Sequence, residues 1–113
     1  MSGNRLHIDP LLVDPTRLSI VAILSACEWA EFGVVRDAAG ITDSALSKQV
    51  TTLEKRQYVE VNKGYVGRRP RTWLQLTGSG RQALEHHIAG LERIVQQGRA
   101  AGSGRGATKP EPQ

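Results

Sequence analysis

The chain of 113 residues has little cysteine, few aromatic residues and no long apolar run. Its single cysteine, Cys27, cannot form an internal disulfide, and its position in an apolar segment predicts a buried thiol rather than a redox centre. No apolar stretch approaches the roughly 20 residues that span a bilayer, and the N-terminus lacks the pattern of a signal peptide. These absences predict a soluble, cytoplasmic protein of one domain with no membrane partner.

Sequence motifs of enzymes and metal sites are also missing. The chain has no Gly-x-Gly-x-x-Gly or phosphate-loop lysine motif, and no serine or cysteine placed as a nucleophile. Its three histidines, His7, His86 and His87, show no ligand spacing with Cys27 or with a carboxylate. We expect these histidines at the surface or at an interface, and we predict no catalytic residue, no metal and no cofactor.

The net charge of +4 is concentrated in one part of the chain. Between Thr42 and Trp73 there are seven cations and three anions, whereas the remaining residues carry eight of each sign. One contiguous stretch therefore holds the whole excess, as a surface for a polyanionic partner requires. Charge alone does not distinguish such a surface from an ordinary solvated face.

Four helices follow from the apolar spacing and from the residues at the helix ends. Asp14, Thr42 and Thr77 are suited to cap helix N-termini, and Gly40 is suited to end a helix in a left-handed conformation. The expected bounds of the four helices are Pro15–Trp29, Phe32–Ala39, Asp43–Arg56 and Ser79–Gln97.

The third of these helices has two different faces. Leu46, Val50 and Leu53 follow the i, i+4, i+7 spacing of a stripe that faces the core. The opposite face consists of small, polar or cationic side chains that can reach phosphates or base edges. The candidate DNA contacts on this helix and at its cap are Thr42, Ser44, Ser47, Lys48, Thr51 and Lys55.

Two short segments with alternating apolar residues, 58–62 and 71–76, predict strands. The loop between them contains two glycines and a proline, so an antiparallel hairpin is expected. Arginines crowd this loop, and arginine suits both a narrow minor groove and phosphate oxygens. The candidate DNA contacts on the hairpin are Lys63, Tyr65, Arg68, Arg69 and Arg71.

The elements occur in the order helix, helix, turn, helix, hairpin, helix, which is mainly α with a small β-hairpin. This order is that of a winged helix-turn-helix, in which the helix after the turn enters the major groove of duplex DNA. The hairpin, or wing, then runs along the backbone toward the minor groove. We therefore predict a transcription regulator that binds double-stranded DNA. Its specificity would come mainly from Ser44, Ser47, Lys48 and Thr51, and its affinity mainly from the wing.

The last helix carries an apolar stripe with spacings of four, three and four, which is typical of a coiled-coil seam. This seam and the apolar segment before the first helix are expected to form a homodimer through the terminal helices. The candidate interface residues are Leu11, Leu12, Leu84, Ile88, Leu91 and Val95. We place the winged-helix domain with these dimerisation segments at residues 1–97, and we predict a disordered tail over 98–113.

Several motifs carry a resemblance to a known family: RLSI at 17–20, GITDSALSK at 40–48, LEK at 53–55 with YV at 58–59, GYVGRRPRT at 64–72, and LT and GR within 76–81. From Arg17 to Leu84 the chain resembles winged-helix regulators related to the MarR family, in particular the short group described as winged helix DNA-binding domain proteins. The resemblance implies a homodimer with two recognition helices on a palindromic site. The chain departs from the family pattern at Gln57, where glycine is usual, and at Gly78 and Ser79, where proline and glutamate are common.

Two other functions are compatible with this sequence. Winged helices also pair proteins, in which case the basic stretch would be an ordinary surface. A ligand-responsive repressor would add a small-molecule effector pocket at the dimer interface, near Trp29, Phe32 and the terminal helices, although large aromatic side chains there also suit a core.

Overall fold

Four helices and one three-stranded antiparallel sheet make up the part of the chain that the computed structural model describes, residues 8–103. The elements are α1 (Pro15–Ser25), β1 (Ala30–Glu31), α2 (Phe32–Ala39), α3 (Asp43–Lys55), β2 (Val59–Val66), β3 (Arg69–Leu76) and α4 (Gly78–Ser103). This arrangement confirms the predicted winged helix-turn-helix. Within residues 8–103, none of the helices combines the length and the apolar character that crossing a bilayer requires.

Helix α1 begins as predicted and ends early. Asp14 accepts a hydrogen bond from a backbone N–H of the first turn, where Pro15 also stands. The helix ends at Ser25 rather than near Trp29, with Ala26 as its C-cap, and the chain then reaches β1 at Ala30, which pairs with β3. The predicted end was therefore wrong, and the two-residue strand β1 was missed.

Helices α2 and α3 match the predicted positions to within one residue. Gly40 ends α2 with a φ of 69°, and Thr42 caps α3 by accepting a hydrogen bond of 3.1 Å from the backbone N–H of Ala45. The three apolar residues predicted to face inward from α3 are all buried: Leu46, Val50 and Leu53.

The hairpin is longer than predicted because its pairing runs without a break from Val59 opposite Leu76 to Val66 opposite Arg69. Gly67 follows with a φ of 64°, as the first central residue of a tight two-residue turn requires. Pro70 is tolerated in β3 because only β2 flanks the strand at that point, since β1 pairs with β3 further along the chain.

The core lies between the helices and one face of the sheet. Fully buried side chains come from every layer, with Leu12 before α1, Ile20 in α1, Val35 in α2 and Leu74 in β3. Within residues 8–103, no buried side-chain nitrogen or oxygen atom lacks a hydrogen-bond partner. The apolar segment before α1 contributes Leu12 to this core.

Two residues that the sequence placed at the dimer interface belong to this core instead. Leu12 is 0% exposed and Leu84 is 7% exposed. A turn from Asp9 to Leu12 directs the Leu12 side chain inward, and Leu84 lies on the side of α4 that packs against the domain. The remaining interface candidates on α4, Ile88, Leu91 and Val95, are 41–49% exposed.

Helix α4 extends to Ser103, six residues beyond the predicted end at Gln97. Residues 98–103 are therefore helical, contrary to the predicted disorder. The arginine and two alanines at 99–101 favour helix, whereas the glycines on either side of them disfavour it. The rest of the predicted tail, 104–113, lies outside the described residues.

One histidine also departs from the expected surface location. His87 is 2% exposed, because it lies on the same side of α4 as Gly80, Leu84 and Gly90. Its Nδ1 atom accepts a hydrogen bond of 3.1 Å from the backbone N–H of Asp9. His86 is exposed as expected, and His7 lies outside the described residues.

Candidate nucleic-acid interface

The outward face of α3 is a continuous polar surface. Its members lie within an arc of about 100° on a regular helix, opposite the buried stripe. Four of them have exposed hydroxyl or ammonium groups near the N-terminal and central turns, and a second lysine extends the surface toward the C-terminus. The members are Ser44, Ser47, Lys48, Thr51 and Lys55, all exposed.

Two hydroxyls at the start and centre of this surface already have partners within the protein. Thr42 Oγ1 accepts from the backbone of α3, and Thr51 Oγ1 donates to the carbonyl of Ser47 at 3.0 Å. Such bonding of a threonine to the preceding turn is common in helices. Thr51 therefore presents a methyl group and acceptor lone pairs to an incoming molecule, whereas its proton is engaged.

The strand register divides the wing residues between two sides of the hairpin, because successive side chains point to opposite faces. Lys63 and Tyr65 lie opposite Thr72 and Pro70, on the side that carries the core residues of β2 and β3. Arg69 and Arg71 point to the other side, together with the residues opposite them, Gly64 and Val66. Arg68 occupies the turn at the tip.

A cleft of about 640 Å³ separates α3 from the hairpin. Ser47, Thr51 and Glu54 line its α3 side, and Lys63 and Thr72 line its hairpin side. The structure therefore brings two predicted contacts of α3 and one predicted contact of the wing to the walls of a single opening. Apolar residues form the rest of the lining: Phe32, Val50, Val61 and Leu74.

The three arginines of the wing have different surroundings. Arg71 Nε lies 3.7 Å from Glu31 Oε2 of β1, and its side chain is only 35% exposed. Arg68 and Arg69 are exposed, and within residues 8–103 neither of them has an ion-pair partner. Of the three arginines, Arg68 and Arg69 at the tip are therefore the ones available to a polyanion, whereas Arg71 also ties the hairpin to β1.

An arginine that sequence reasoning missed connects α2 to the start of α3. Arg36 donates from Nη1 to Asp43 at 2.8 Å and from Nε to Asp37 at 2.9 Å. These hydrogen bonds raise the pKa of Arg36 above its usual value, and the bond to Arg36 lowers the pKa of the Asp37 carboxyl. The contact joins residues seven positions apart across the turn, so no helical spacing signals it.

A second missed arginine connects α3 to the segment before α1. Arg17 Nε donates to the carbonyl of Leu11 at 2.7 Å, and its Nη1 donates to Gln49 Oε1 at 3.1 Å. Gln49 lies on the side of α3 that faces neither the cleft nor the deepest core. Both faces of α3 next to its polar surface are therefore linked to neighbouring elements by guanidinium groups.

The two aromatic residues predicted to flank an effector pocket, Trp29 and Phe32, do not both line the cleft beside α3. Phe32 lines the cleft beside α3, whereas Trp29 is not among the residues lining it. Within the described range 8–103, no group of three or more His, Cys, Asp or Glu residues is arranged to hold a metal ion.

Comparisons with known proteins agree with this geometry. The family described as winged helix DNA-binding domain matches residues 16–95. An uncharacterized protein of Methanocaldococcus jannaschii is 31% identical over 72 residues, which cover 64% of this chain and 78% of that protein.

Solved structures share the fold at low sequence identity. A transcriptional regulator homologue from Pyrococcus horikoshii is 22% identical with a TM-score of 0.74, over 83% of this chain and 93% of that one. Bordetella bronchiseptica BpsR, whose DNA binding is regulated by 6-hydroxynicotinic acid, is 19% identical with a TM-score of 0.65, over 82% of this chain and 70% of that one. ZitR of Lactococcus lactis, a zinc-responsive MarR family member, is 20% identical with a TM-score of 0.55, over 79% of this chain and 60% of that one.

The family model covers most of the fold described above. Its match spans all four helices and the hairpin, up to residue 95 in α4. The family model describes a DNA-binding domain, and the solved structures share its fold. The chain belongs to the family of winged helix DNA-binding domains.

Proposed function

We propose that this protein binds double-stranded DNA with sequence specificity and regulates transcription as a homodimer. Helix α3 is the recognition helix and lies in the major groove, and the wing, β2 to β3, follows the backbone toward the minor groove. The observation that supports this proposal most strongly is the coexistence of a fully polar outward face on α3 with two arginines at the wing tip, Arg68 and Arg69, that have no ion-pair partner among residues 8–103.

The two parts of this surface contribute differently. Arg68 and Arg69 have long, flexible side chains that suit phosphate contacts, which add affinity to any sequence. Ser44, Ser47 and Thr51 have short side chains, so they reach only groups that lie directly against α3. In the major groove these groups are base edges, which carry sequence information. Lys48 lies among them and can reach a guanine edge.

The outer side of α4 supports a homodimer. Ile88, Leu91 and Val95 are exposed, and Ile94 beside them is 40% exposed. A stripe of this kind on a solvent-facing helix is typical of an interface between chains. A second copy related by a two-fold axis would cover it and would place two recognition helices on one duplex.

The wing is tested by replacing Arg68 and Arg69 with alanine and measuring DNA affinity at several salt concentrations. Each lost phosphate contact reduces the slope of log affinity against log salt by nearly one unit, and affinity falls on all sequences. The matched control is Arg99→Ala, which removes one positive charge from the exposed end of α4. An unchanged salt slope in the double variant would contradict the assigned role of the wing.

The recognition helix is tested by selecting bound sequences from a random DNA pool. Replacement of Ser44, Ser47, Lys48 and Thr51 together changes the selected sequence, whereas the wing variant mainly lowers affinity. If the unmodified protein retains no DNA in a gel shift at low salt, the protein-binding role of a winged helix replaces this proposal.

A small-molecule effector is a second candidate function, favoured by the cleft between α3 and the wing. Any molecule in this cleft would occupy the side of α3 that is proposed to face DNA, so it would weaken DNA binding by competition. The neighbour BpsR, whose DNA binding responds to 6-hydroxynicotinic acid, makes that acid a reasonable first probe. Addition of the probe to the protein–DNA complex should release DNA, and retention of DNA at saturating probe would argue against this ligand.

A further inference from the structure

The segment 8–13, named here the N-terminal strap, is built around Asp9. The carbonyl of Asp9 accepts from the N–H of Leu12 at 3.0 Å, and its Oδ1 accepts from the N–H of Leu11 at 2.9 Å. Aspartate followed by proline is favoured at the start of such a turn. These local bonds leave the backbone N–H and Oδ2 of Asp9 for other partners.

Those two groups of Asp9 join elements that are far apart in the sequence. The N–H donates to Nδ1 of His87 in α4 at 3.1 Å, and Oδ2 accepts from the hydroxyl of Tyr58, next to β2, at 2.6 Å. One residue of the strap thus connects α4 to the base of the wing.

The strap is also tied to α3. Arg17 bridges the strap carbonyl of Leu11 and the side chain of Gln49 in α3. The strap is therefore bonded directly to Tyr58 and to α4, and it is linked to α3 through Arg17 of α1.

The bond between Asp9 and His87 lies well inside α4, away from the start of the helix. The first turn of α4 is fixed to the domain by Thr77, whose N–H donates to the carbonyl of Tyr58 at 3.0 Å. From Leu91 to the end at Ser103, every residue of α4 is exposed. Arg81 of α4 also donates to the carbonyl of Ser25 at 3.0 Å, and Leu84 is buried in the core. The bond from Asp9 to His87 is a further attachment, nearly three turns beyond Thr77, and attachments spread along a helix define its direction better than those at one end.

We propose that His87 is a positioning residue, which acts through Asp9 and the N-terminal strap to fix the direction in which α4 leaves the winged helix. In the homodimer proposed above, on which this part of the inference rests, that direction sets the distance between the two recognition helices. The strap therefore determines which separation of DNA half-sites the protein accepts.

The DNA test compares His87→Leu, which keeps the volume and removes the acceptor, with His87→Asn, whose carbonyl can accept in place of Nδ1. Duplexes carry the selected half-sites at a series of separations. The unmodified protein prefers one separation, and His87→Leu reduces that preference by a factor of about five while its affinity for a single half-site stays within about twofold. His87→Asn restores the preference. Equal preference in His87→Leu and the unmodified protein would overturn the proposal.

A measurement without DNA separates this inference from the proposed function. In a Cys27→Ser background, spin labels on cysteines introduced at Glu60 of β2 and Gln97 of α4 report the distance between the wing and the end of α4. An excess of unlabelled chain limits the signal to labels within one chain. The distance distribution broadens in His87→Leu and remains narrow in His87→Asn, whether or not the protein binds DNA.

Tyr58→Phe provides a milder variant in case His87→Leu does not fold. It removes one hydroxyl and with it the bond to Asp9 Oδ2. A distance distribution between those of the unmodified protein and His87→Leu supports the inference. A narrow, unshifted distribution in both Tyr58→Phe and any folded His87→Leu protein would refute it.

Discussion

Gly80, in the first turn of α4, packs directly against the backbone carbonyl of Tyr58. A β-carbon at this position would collide with that oxygen and would lie 2.6 Å from Cδ1 of Leu76. The helix can therefore approach the start of the hairpin only because residue 80 has no side chain. Glycine generally destabilises a helix, but at position 80 the close packing against Tyr58 and Leu76 requires it.

Substitution of Gly80 by alanine should lower the free energy of unfolding by about 2–3 kcal/mol, because the added methyl meets backbone that cannot move aside easily. The matched control is Gly78→Ala two residues earlier, where an added β-carbon meets nothing within 4 Å. This control should raise stability by about 0.5–1 kcal/mol through better helix propensity. Urea unfolding of both variants gives the comparison, and equal stabilities would contradict the packing described for Gly80.

Gln57 has a φ of 62°, the left-handed conformation that glycine adopts without strain. The departure from the family pattern at this position therefore has a measurable cost. Gln57→Gly should raise the free energy of unfolding by about 1 kcal/mol, since a residue with a β-carbon pays roughly that amount in this region. Gln57→Ala keeps the β-carbon and should show no such gain. If glycine and alanine prove equivalent by chemical denaturation, the strain at this position is negligible.

Tyr58 predicts a dependence of stability on alkaline pH. Burial raises its pKa above the ordinary value of 10.0, and the bond to Asp9 adds to the shift, whereas Arg56 opposes it. A pKa raised on folding gives stability that is present below the unfolded pKa and lost as pH rises through the folded pKa. Above about pH 10 the unmodified protein should therefore lose stability more steeply than Tyr58→Phe. Parallel denaturation curves of the two proteins from pH 8 to 11 would contradict this prediction.

The exposed stripe of α4 predicts the effect of charge at the proposed dimer interface. Leu91→Glu should convert the dimer to monomer at micromolar concentration, because a carboxylate would be buried without a partner between two copies. The folding of one chain should be unaffected, since Leu91 is 41% exposed within it. Analytical ultracentrifugation and circular dichroism measure the two effects. The control Glu92→Lys changes a neighbouring exposed residue, and dissociation by both variants alike would argue against a specific apolar seam.

Much of the fold was predictable because its signals are local. The cap at Thr42, the glycine at the end of α2 and the apolar stripe of α3 each lie within a few residues of the element they define. The hairpin was found from its alternating strands, although its glycines and proline suggested a longer loop than the structure contains. The outward face of α3 followed directly from helical periodicity.

The features that were missed depend on residues far apart in the chain. Asp9 and His87 are 78 positions apart, and Asp9 and Tyr58 are 49 positions apart. No spacing rule connects such pairs, so His87 was expected at the surface or at an interface between chains. Strand β1 consists of two residues and exists only because β3 lies beside it. The same reason explains why Leu12 and Leu84 were placed at an interface between chains, since an apolar side chain alone does not reveal which surface covers it.

A small change in the direction of α4 at Gly90 displaces the exposed end of the helix by a much larger distance. Residues 91–103 extend about 20 Å beyond the last buried residue, Gly90, at the helical rise of 1.5 Å per residue. A tilt of about 10° at that point would displace the far end by about 3.5 Å, close to the rise of one base along a DNA strand. A change of about 10° in the direction of α4 is therefore equivalent, at its far end, to a shift of about one base step along DNA.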